Sequence, residues 1–584
     1  MILIFQNISH FNNTLMSTID LRKNGQLEDQ LKHKFQEVLG DCVSPFHEYI
    51  EKVSEGVSGD IDWWVSTPVS RDTIYSNLFH NFTILFFVNR LLKEDVPFES
   101  IIVDDFYLKE IMSEFFHLKN KDIKVHLDDE GKYQRSFFRN FYEIIRFHFI
   151  FFIKLFFCKF LLRSKVNIPP INGELVLIDT FFLDLFRSKE RYYDGLLENL
   201  SSQEKRHIFF VPSVLDEKIT TLYNSIKFLR SYPEKYLLKE DFIKFRDLFF
   251  TFGYFFRKNK IKFNQIDVLG CSFHKLVKAE LLYLNRFLMS IEGLLSYRFV
   301  KNLRQKKIKV RTSVNWFENQ PMDKGWNLGF NSFYKESINL GYRGLVPANY
   351  FLSQKYITDF EFNNSVTPKK LFTVGDNEGL EASRFTKRTA LQAGPAFRFR
   401  YLWSDLPKTN EQKDIIFVAL PITLQQSTGI MEGVNSINDE LKGRKAHFLI
   451  KLHPTMDKSL LLNNLSFTFP ENMAFTSDEA SSILVKSALI ISGMSSICLE
   501  ACAVGVPLIV YNSQNLIPFN SLPNNISKKI WKNVSNKKEL TREVKNFLNM
   551  KKSEKEIVSL YSETVKKDNF KPVNNSTVKE LLKL

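Results

Sequence analysis

The sequence predicts an α/β protein built on parallel sheets, and three observations point there. Short apolar runs alternate with helix-like stretches along most of the chain. Two of these runs end abruptly in polar turns: Ala446 to Leu452 stops at His453-Pro454, and Ala488 to Ile491 stops at Ser492-Gly493. Ligands of open α/β sheets bind outside the carboxyl ends of the strands, so the two turns are expected to face one pocket. The third observation is length: 584 residues exceed what one core holds and imply two or three domains.

Composition narrows the function classes. Apolar residues make up 44% and charged ones 25%, a globular balance. Phenylalanine occurs 57 times against 6 tryptophans, so a phenylalanine stripe taken alone supports no functional claim. The net charge of +15 permits nucleic acid, an anionic membrane surface or phosphorylated substrates as partners. Nucleic acid fits least, because the sequence lacks zinc-finger spacing, an RRM-like aromatic signature and a basic low-complexity arm. Cys42, Cys158, Cys271, Cys498 and Cys502 form no CxxC pair, which suggests neither a disulfide framework nor a zinc site. A reducing, cytoplasmic location is expected, and the opening residues carry no secretory-signal pattern.

Taken in order, the chain opens with a polar region to about Asp60, holding a helix-like segment from Leu27 to Leu39. Asp62-Trp63-Trp64 and the apolar helical run Tyr75 to Leu92 follow, then a strand at Ser100 to Val103 ending in Asp104-Asp105. The segment 137–165 packs Phe, Ile and Leu between Arg139, Arg146, Lys154, Lys159, Arg163 and Lys165. A spanning helix needs roughly 20 apolar residues with few charges, which Lys154 and Lys159 interrupt. A basic, aromatic helix in a membrane interface, its lysines reaching phosphates, is one reading. A buried core helix with its lysines turned outward is the other.

After a linker at Pro169-Pro170, strands are expected at Glu174 to Asp179, His207 to Val211, Ile266 to Leu269 and Ile308 to Val314, with a long helical region over Lys275 to Gln305. The stretch Asn315-Trp316-Phe317-Glu318-Asn319-Gln320-Pro321-Met322-Asp323-Lys324-Gly325-Trp326 then gathers carboxylates, amides and indoles beside a strand end. Its plainer alternative is a helix start capped by Asn315 or Asn319, with the tryptophans in the core. Gly341-Tyr342-Arg343-Gly344 reads as a second polar knot, and a strand at Leu371 to Val374 stops at Gly375-Asp376-Asn377-Glu378-Gly379. A linker over Leu406 to Lys413 separates a second α/β series, with strands near Ile415, Ala446, Ala474, Ala488 and Leu508. The expected division is therefore 1–405, 414–540 and a helical tail 541–584 that packs back across the domains.

The Ser492 to Glu500 turn has the makings of an anion site. Ser495 and Ser496 bring hydroxyls and adjacent N–H groups to a helix start, and Glu500 stands about one turn later, placed to accept from a ribose hydroxyl. An ordinary Ser N-cap is the alternative. His453, stiffened by Pro454, is suited to donate to a phosphate on a leaving nucleotide.

"KLHP" together with "SGMSSICLEACAVGVPLIVY" resembles the donor half of a GT-B glycosyltransferase. His-Pro followed by Ser-Ser is similar, more narrowly, to bacterial sialyltransferases and Kdo transferases that use CMP-activated sugars. It is also similar to CDP-glycerol and CDP-ribitol phosphotransferases. The resemblance implies two Rossmann-like domains facing a central cleft, with a helical insertion in the N-terminal half. It also implies donor-phosphate contacts for His453, Ser495 and Ser496, and chemistry without a bound metal or cofactor. The pieces "DWW", "WFENQPMDKGW", "GYRG" and "GPAFRFRYLW" look like bacterial surface-carbohydrate biosynthesis proteins. The Asp/Glu-Asp-Gly motif of the sialyltransferases is not present as such.

Glycosyl transfer needs a base for the acceptor hydroxyl and groups that hold the departing phosphate. Glu318 ranks first for the base, ahead of Asp376 and Glu378, because it lies at a strand end among polar and aromatic residues. Asn319, Gln320, Arg343 and Arg398 are candidate substrate contacts. The leading expectation is transfer of a Kdo-like or sialic-acid-like sugar onto a surface glycan or glycolipid at the inner membrane face. A CDP-polyol phosphotransferase and a non-catalytic glycan-assembly protein are the alternatives.

Overall fold

The structure, a computed structural model, describes residues 16–23, 25–128, 136–163, 174–184, 187, 190–282, 287–404, 415–441, 446–454, 456–512 and 516–584. Three parallel sheets organise them. The first has the order β1 (Met16–Asp20), β2 (Phe98–Val103), β3 (Lys124–Leu127). The second contains β4 (Leu175–Phe182), β5 (Ile208–Val214), β8 (Val310–Trp316), β9 (Ile338–Arg343), β10 (Lys370–Thr373) and β11 (Ala390–Ala393), in the order β11-β10-β9-β8-β4-β5. The third runs β14 (Met473–Phe475), β13 (His447–Lys451), β12 (Ile415–Ala419), β15 (Ser487–Ser492), β16 (Leu508–Tyr511), β17 (Trp531–Val534). That order, 3-2-1-4-5-6 when the strands are counted from β12, is the Rossmann order. Past β5 the second sheet continues through a parallel bridge between Phe210 and Tyr236, which gives it the same winding.

Both large sheets are sandwiched. Every residue of β5 and β16 is buried, as near-continuous apolar runs require when helices cover both faces. The region 1–405, read from the sequence as one Rossmann-like unit, carries two separate parallel sheets and a two-stranded hairpin. The core of the small first sheet also takes in Leu516, Ile517 and Phe519 from the C-terminal half.

The tail ties the halves together. Its helix Lys552–Asn569 packs on the helix Ile497–Val504. Beyond it, Lys571 donates its N–H to the Val374 carbonyl at 2.7 Å and accepts from Ala396 at 2.9 Å. The last helix, Asn575–Leu582, places Val578, Leu581 and Leu582 in the core beneath the second sheet. The chain is α/β, with two Rossmann-like sheets facing a central cleft, the GT-B arrangement.

Several expectations need correction. Ile266 to Leu269 does not join a parallel sheet: β6 (Asp267–Val268) and β7 (Cys271–Ser272) form an antiparallel hairpin. Leu269 (φ 53°) and Gly270 (φ 87°) both take the left-handed conformation that such two-residue turns demand. Gly341 to Arg343 is no loop knot but the end of β9, where the buried Arg343 is paired with Glu378 at 3.0 Å. The helix Pro321–Phe333 is capped by neither Asn315, which lies in β8, nor Asn319; instead Asp323 accepts from the Gln320 and Glu318 N–H groups, each at 2.9 Å. Its tryptophan Trp326 and the nearby Trp316 are buried, as that plainer alternative held. Within the helical insertion, Ser136–Phe156, Lys154 turns inward and pairs with Glu240 at 2.8 Å, so both readings of that lysine fail. The linkers at Pro169-Pro170 and Leu406 to Lys413 lie outside the described residues. All five cysteines are buried and unpaired, and no helix among the described residues is long and apolar enough to cross a membrane.

Candidate functional site

One wall of the cleft is built at the carboxyl ends of β12, β13 and β15, where the strand order reverses. Ser492 donates its hydroxyl to the Ala419 carbonyl at 2.7 Å, tying the end of β15 to β12. Gly493 lies against the end of the Gln426 side chain, 2.8 Å from where a Cβ would sit, and the amide oxygen of Gln426 accepts from the Met494 N–H at 3.3 Å. The helix Ile497–Val504 starts from this turn and ends at Gly505, whose φ of 76° explains the Gly-Val-Pro run.

The two serines are not ordinary caps. Ser496 has helical φ/ψ and sends its hydroxyl to Glu500 Oε1 at 3.1 Å, while Ser495 Oγ receives only a long 3.4 Å bond from the Ile497 N–H. The first turn of the helix satisfies its own N–H groups, Ile497 on Ser495 Oγ, Cys498 on the Ser495 carbonyl at 3.2 Å and Leu499 on the Ser496 carbonyl at 3.0 Å. The Ser495 N–H acts on the Cys498 sulfur, so among the described residues the Ser496 N–H is the one left without an acceptor. Tyr401 donates to the other Glu500 oxygen, Oε2, at 2.6 Å. Burial raises the Glu500 carboxyl, against the lowering pull of Tyr401, Arg398 and Ser496.

His453 follows β13 and is half-buried, with Pro454 exposed beside it. Burial, then the charges of Arg191 and Arg398, pushes its imidazole down to about 4. It is therefore neutral near pH 7 and carries a single N–H donor. Burial, and then the charge of Arg398, lowers Arg191, and both guanidinium groups act on His453. The cleft thus gathers two guanidinium groups, a neutral imidazole and the two hydroxyls of Ser495 and Ser496, groups able to donate to an oxyanion.

The opposite wall is the switch point of the second sheet, between β4 and β8. Glu318 stands there half-buried, its two oxygens fixed by neutral donors: Trp316 Nε1 to Oε1 at 2.8 Å and Gln354 Nε2 to Oε2 at 2.6 Å. Tyr192 packs edge-on against Trp316, with ring centroids 4.7 Å apart, and lies within electrostatic reach of Glu318, Arg191 and Arg398. Next to it, a cavity of about 310 Å³ is lined by Thr180, Arg187, Arg191, Tyr192, Tyr232 and Lys235, among others. Its aromatic walls, three cations and the Glu190 carboxylate suit a polar, sugar-sized ligand.

Under this wall lies a buried polar scaffold. Asn315 Nδ2 bridges Asp179 (2.8 Å) and Asp323 (3.4 Å). Burial lifts Asp179 to about 7 and Asp323 well above the carboxylate range. Asn319 and Lys324 both donate to Glu361, which also receives Arg71 at 2.6 Å.

The structure brings His453, Ser495, Ser496, Glu500 and Arg398 together on one side and sets Glu318 on the other. It does not bring the remaining candidates to the cleft in a free form. Glu378 and Arg343 are consumed by their mutual ion pair, Asn319 and Gln320 (to Ser353 Oγ at 3.0 Å) belong to the scaffold, and Asp376 is exposed in the first turn of the helix Asp376–Ala382. Sequence reading missed Arg191, Tyr192, Gln354 and Tyr401. Only Tyr401 carried a signal, as part of the Arg-rich aromatic run after Gly394.

No protein-family model matches the sequence, and comparison with curated proteins gives no match either. Solved structures similar to the chain include UDP-GlcNAc 2-epimerase from Neisseria meningitidis bound to UDP-GlcNAc (13% identity, TM-score 0.40, covering 70% of this chain and 99% of that one). MurG from Acinetobacter baumannii is similar at 9% identity and TM-score 0.37, over 70% of this chain and 100% of its own. The wall teichoic acid polymerase TagF is similar at 11% identity and TM-score 0.38, over 76% and 96%. By its strand orders and by the cleft between facing sheet ends, the fold is GT-B.

Proposed function

We propose that the chain is a glycosyltransferase that moves a sugar from a cytidine-nucleotide donor, of the CMP-Kdo or CMP-sialic-acid kind, onto a bacterial surface glycan or glycolipid. The observation that carries this reading is the convergence of Arg191 and Arg398 on His453, with Arg398 also acting on Glu500 of the helix Ile497–Val504, opposite the Glu318 carboxylate. The His-Pro and Ser-Ser resemblance narrows the donor to cytidine nucleotides.

In this reading Glu318 takes the acceptor hydroxyl proton as the acceptor oxygen bonds to the anomeric carbon. The bond from that carbon to the donor phosphate oxygen breaks, and CMP leaves with the electron pair. The departing charge falls on the His453 N–H, the two guanidinium groups, the Ser495 hydroxyl and the Ser496 N–H, so no metal is needed. Glu500 holds the ribose. The tyrosine-lined cavity beside Tyr192 receives the acceptor, and the reaction runs at the inner face of the cell membrane.

Calorimetric titration tests the donor wall. CMP is expected to bind wild type and to bind His453→Ala and Ser495→Ala at least about tenfold more weakly. CMP binding unchanged in both variants, or absent from wild type, would overturn the assignment.

A further inference from the structure

The insertion helix Ser136–Phe156 and the π-helical turn Phe157–Leu161 that prolongs it are amphipathic the unusual way round. The central charge, Lys154, is 3% exposed and paired with Glu240, while the rings of Phe149, Phe152, Phe156 and Phe160 face outward. Phe149 is 58% exposed and Phe160 61%, and their spacing of three or four residues draws one stripe. A second helix, Phe245–Phe252, widens it: Phe245 lies 5.7 Å from Phe152 and 6.4 Å from Phe160 by ring centroids, and Phe249 is 78% exposed. Scattered exposed apolar residues are ordinary, but a contiguous aromatic face on two adjacent helices marks a surface with a partner.

Charge identifies the partner. Exposed cations stand where the two helices meet: Arg163 follows Phe160, and Lys244 and Arg246 flank Phe245. Lys244 reaches Gln305 Oε1 at 3.1 Å, which sets it beside Lys306, itself within electrostatic reach of Lys159. The neighbouring acids are already held: Asp241 by Arg230, and Glu143 and Glu217 by Arg146. An aromatic stripe with a cationic end matches the interface of an anionic bilayer, where rings settle among the acyl carbons and cations meet phosphates.

We propose that this face, formed by the insertion helix and the helix Phe245–Phe252, docks the protein onto an anionic phospholipid bilayer. The inference rests on the reading of the chain as acting beside a membrane, and is independent of the donor. Flotation of the full chain with vesicles tests it without reference to activity. Wild type is expected to float with vesicles containing phosphatidylglycerol and far less with phosphatidylcholine alone. Phe149→Ser with Phe249→Ser should lower the floating fraction at least tenfold while the thermal melt stays unchanged. Arg163→Gln with Arg246→Gln should weaken binding only to the anionic vesicles. Equal flotation of the ring variant and wild type, or no flotation of wild type, overturns the proposal. So does a dimer that the ring variant converts to monomer with no vesicle binding, since the face is then a contact between copies. Flotation without CMP release would contradict the enzymatic reading and leave this one standing.

Discussion

Tyr401 donates its phenolic hydroxyl to Glu500 at 2.6 Å, so a residue of the N-terminal half fixes the carboxylate one turn into the donor helix. Arg398, three residues earlier, reaches both Glu500 and His453 with its charge. The two halves therefore meet at Glu500 and His453, and in the proposed reaction residues of both contact the donor.

Tyr401→Phe leaves the buried Glu500 carboxyl short of one hydrogen bond, at a cost of about 1–3 kcal/mol. The donor KM is expected to rise about tenfold or more, with kcat within about twofold of wild type. Steady-state kinetics checks this; an unchanged KM contradicts the shared site.

Glu318→Gln keeps an acceptor for Trp316 and loses the proton-accepting charge. Transfer is expected to fall by about 10²–10⁴ with nucleotide affinity retained, as removal of a general base requires. Loss of affinity with kcat intact would return Glu318 to the scaffold.

The imidazole of His453 titrates near 4 in the folded protein, below its ordinary 6.5. The unfolded chain then binds more protons between those values, so this group's contribution to stability is full above about pH 6.5 and lost as pH falls toward 4. Histidine proton resonances followed by NMR should show no His453 titration between pH 5.5 and pH 8, roughly a unit or more above the expected midpoint. An anionic nucleotide beside it should move the midpoint upward. A midpoint near 6.5 in the free protein contradicts the burial and the two arginines.

Burial opposes ionisation of Glu361, but Arg71 and Lys324 outweigh it and bring the carboxyl to about 2. Its contribution to stability is present above about 4.5 and lost as pH falls toward 2. Glu361→Gln strands two buried cations and is expected to cost about 3–5 kcal/mol in chemical denaturation. A loss under about 1 kcal/mol would mean that water reaches the cluster.

Strands covered on both faces were legible, because burial on two sides demands a continuous apolar run of strand length that stops at a polar turn. Accordingly β4, β12, β13, β15 and β16 lie within a few residues of their expected places. Strand β9 was hidden by Arg343, whose charge suggests a loop until Glu378 is seen across from it. Lys154 misled in the same way, since only the fold supplies Glu240. On the donor wall, His453, Ser495, Ser496 and Glu500 cluster within two short motifs and could be read locally. Arg191 could not, because it enters from a distant loop, and Tyr401, although part of a noticed aromatic run, sits on the short helix Phe397–Trp403 whose contact with Glu500 depends on how the sheets face each other.

Donor turnover tests the central claim most directly. Purified protein is offered CMP-Kdo, CMP-sialic acid, CDP-glycerol, CDP-ribitol and UDP-GlcNAc in turn, and the released nucleotide is measured. Release of CMP from a CMP-sugar, lost in His453→Ala, is the predicted result. Turnover only of a CDP-polyol or of UDP-GlcNAc, or no turnover and no nucleotide binding, would contradict it.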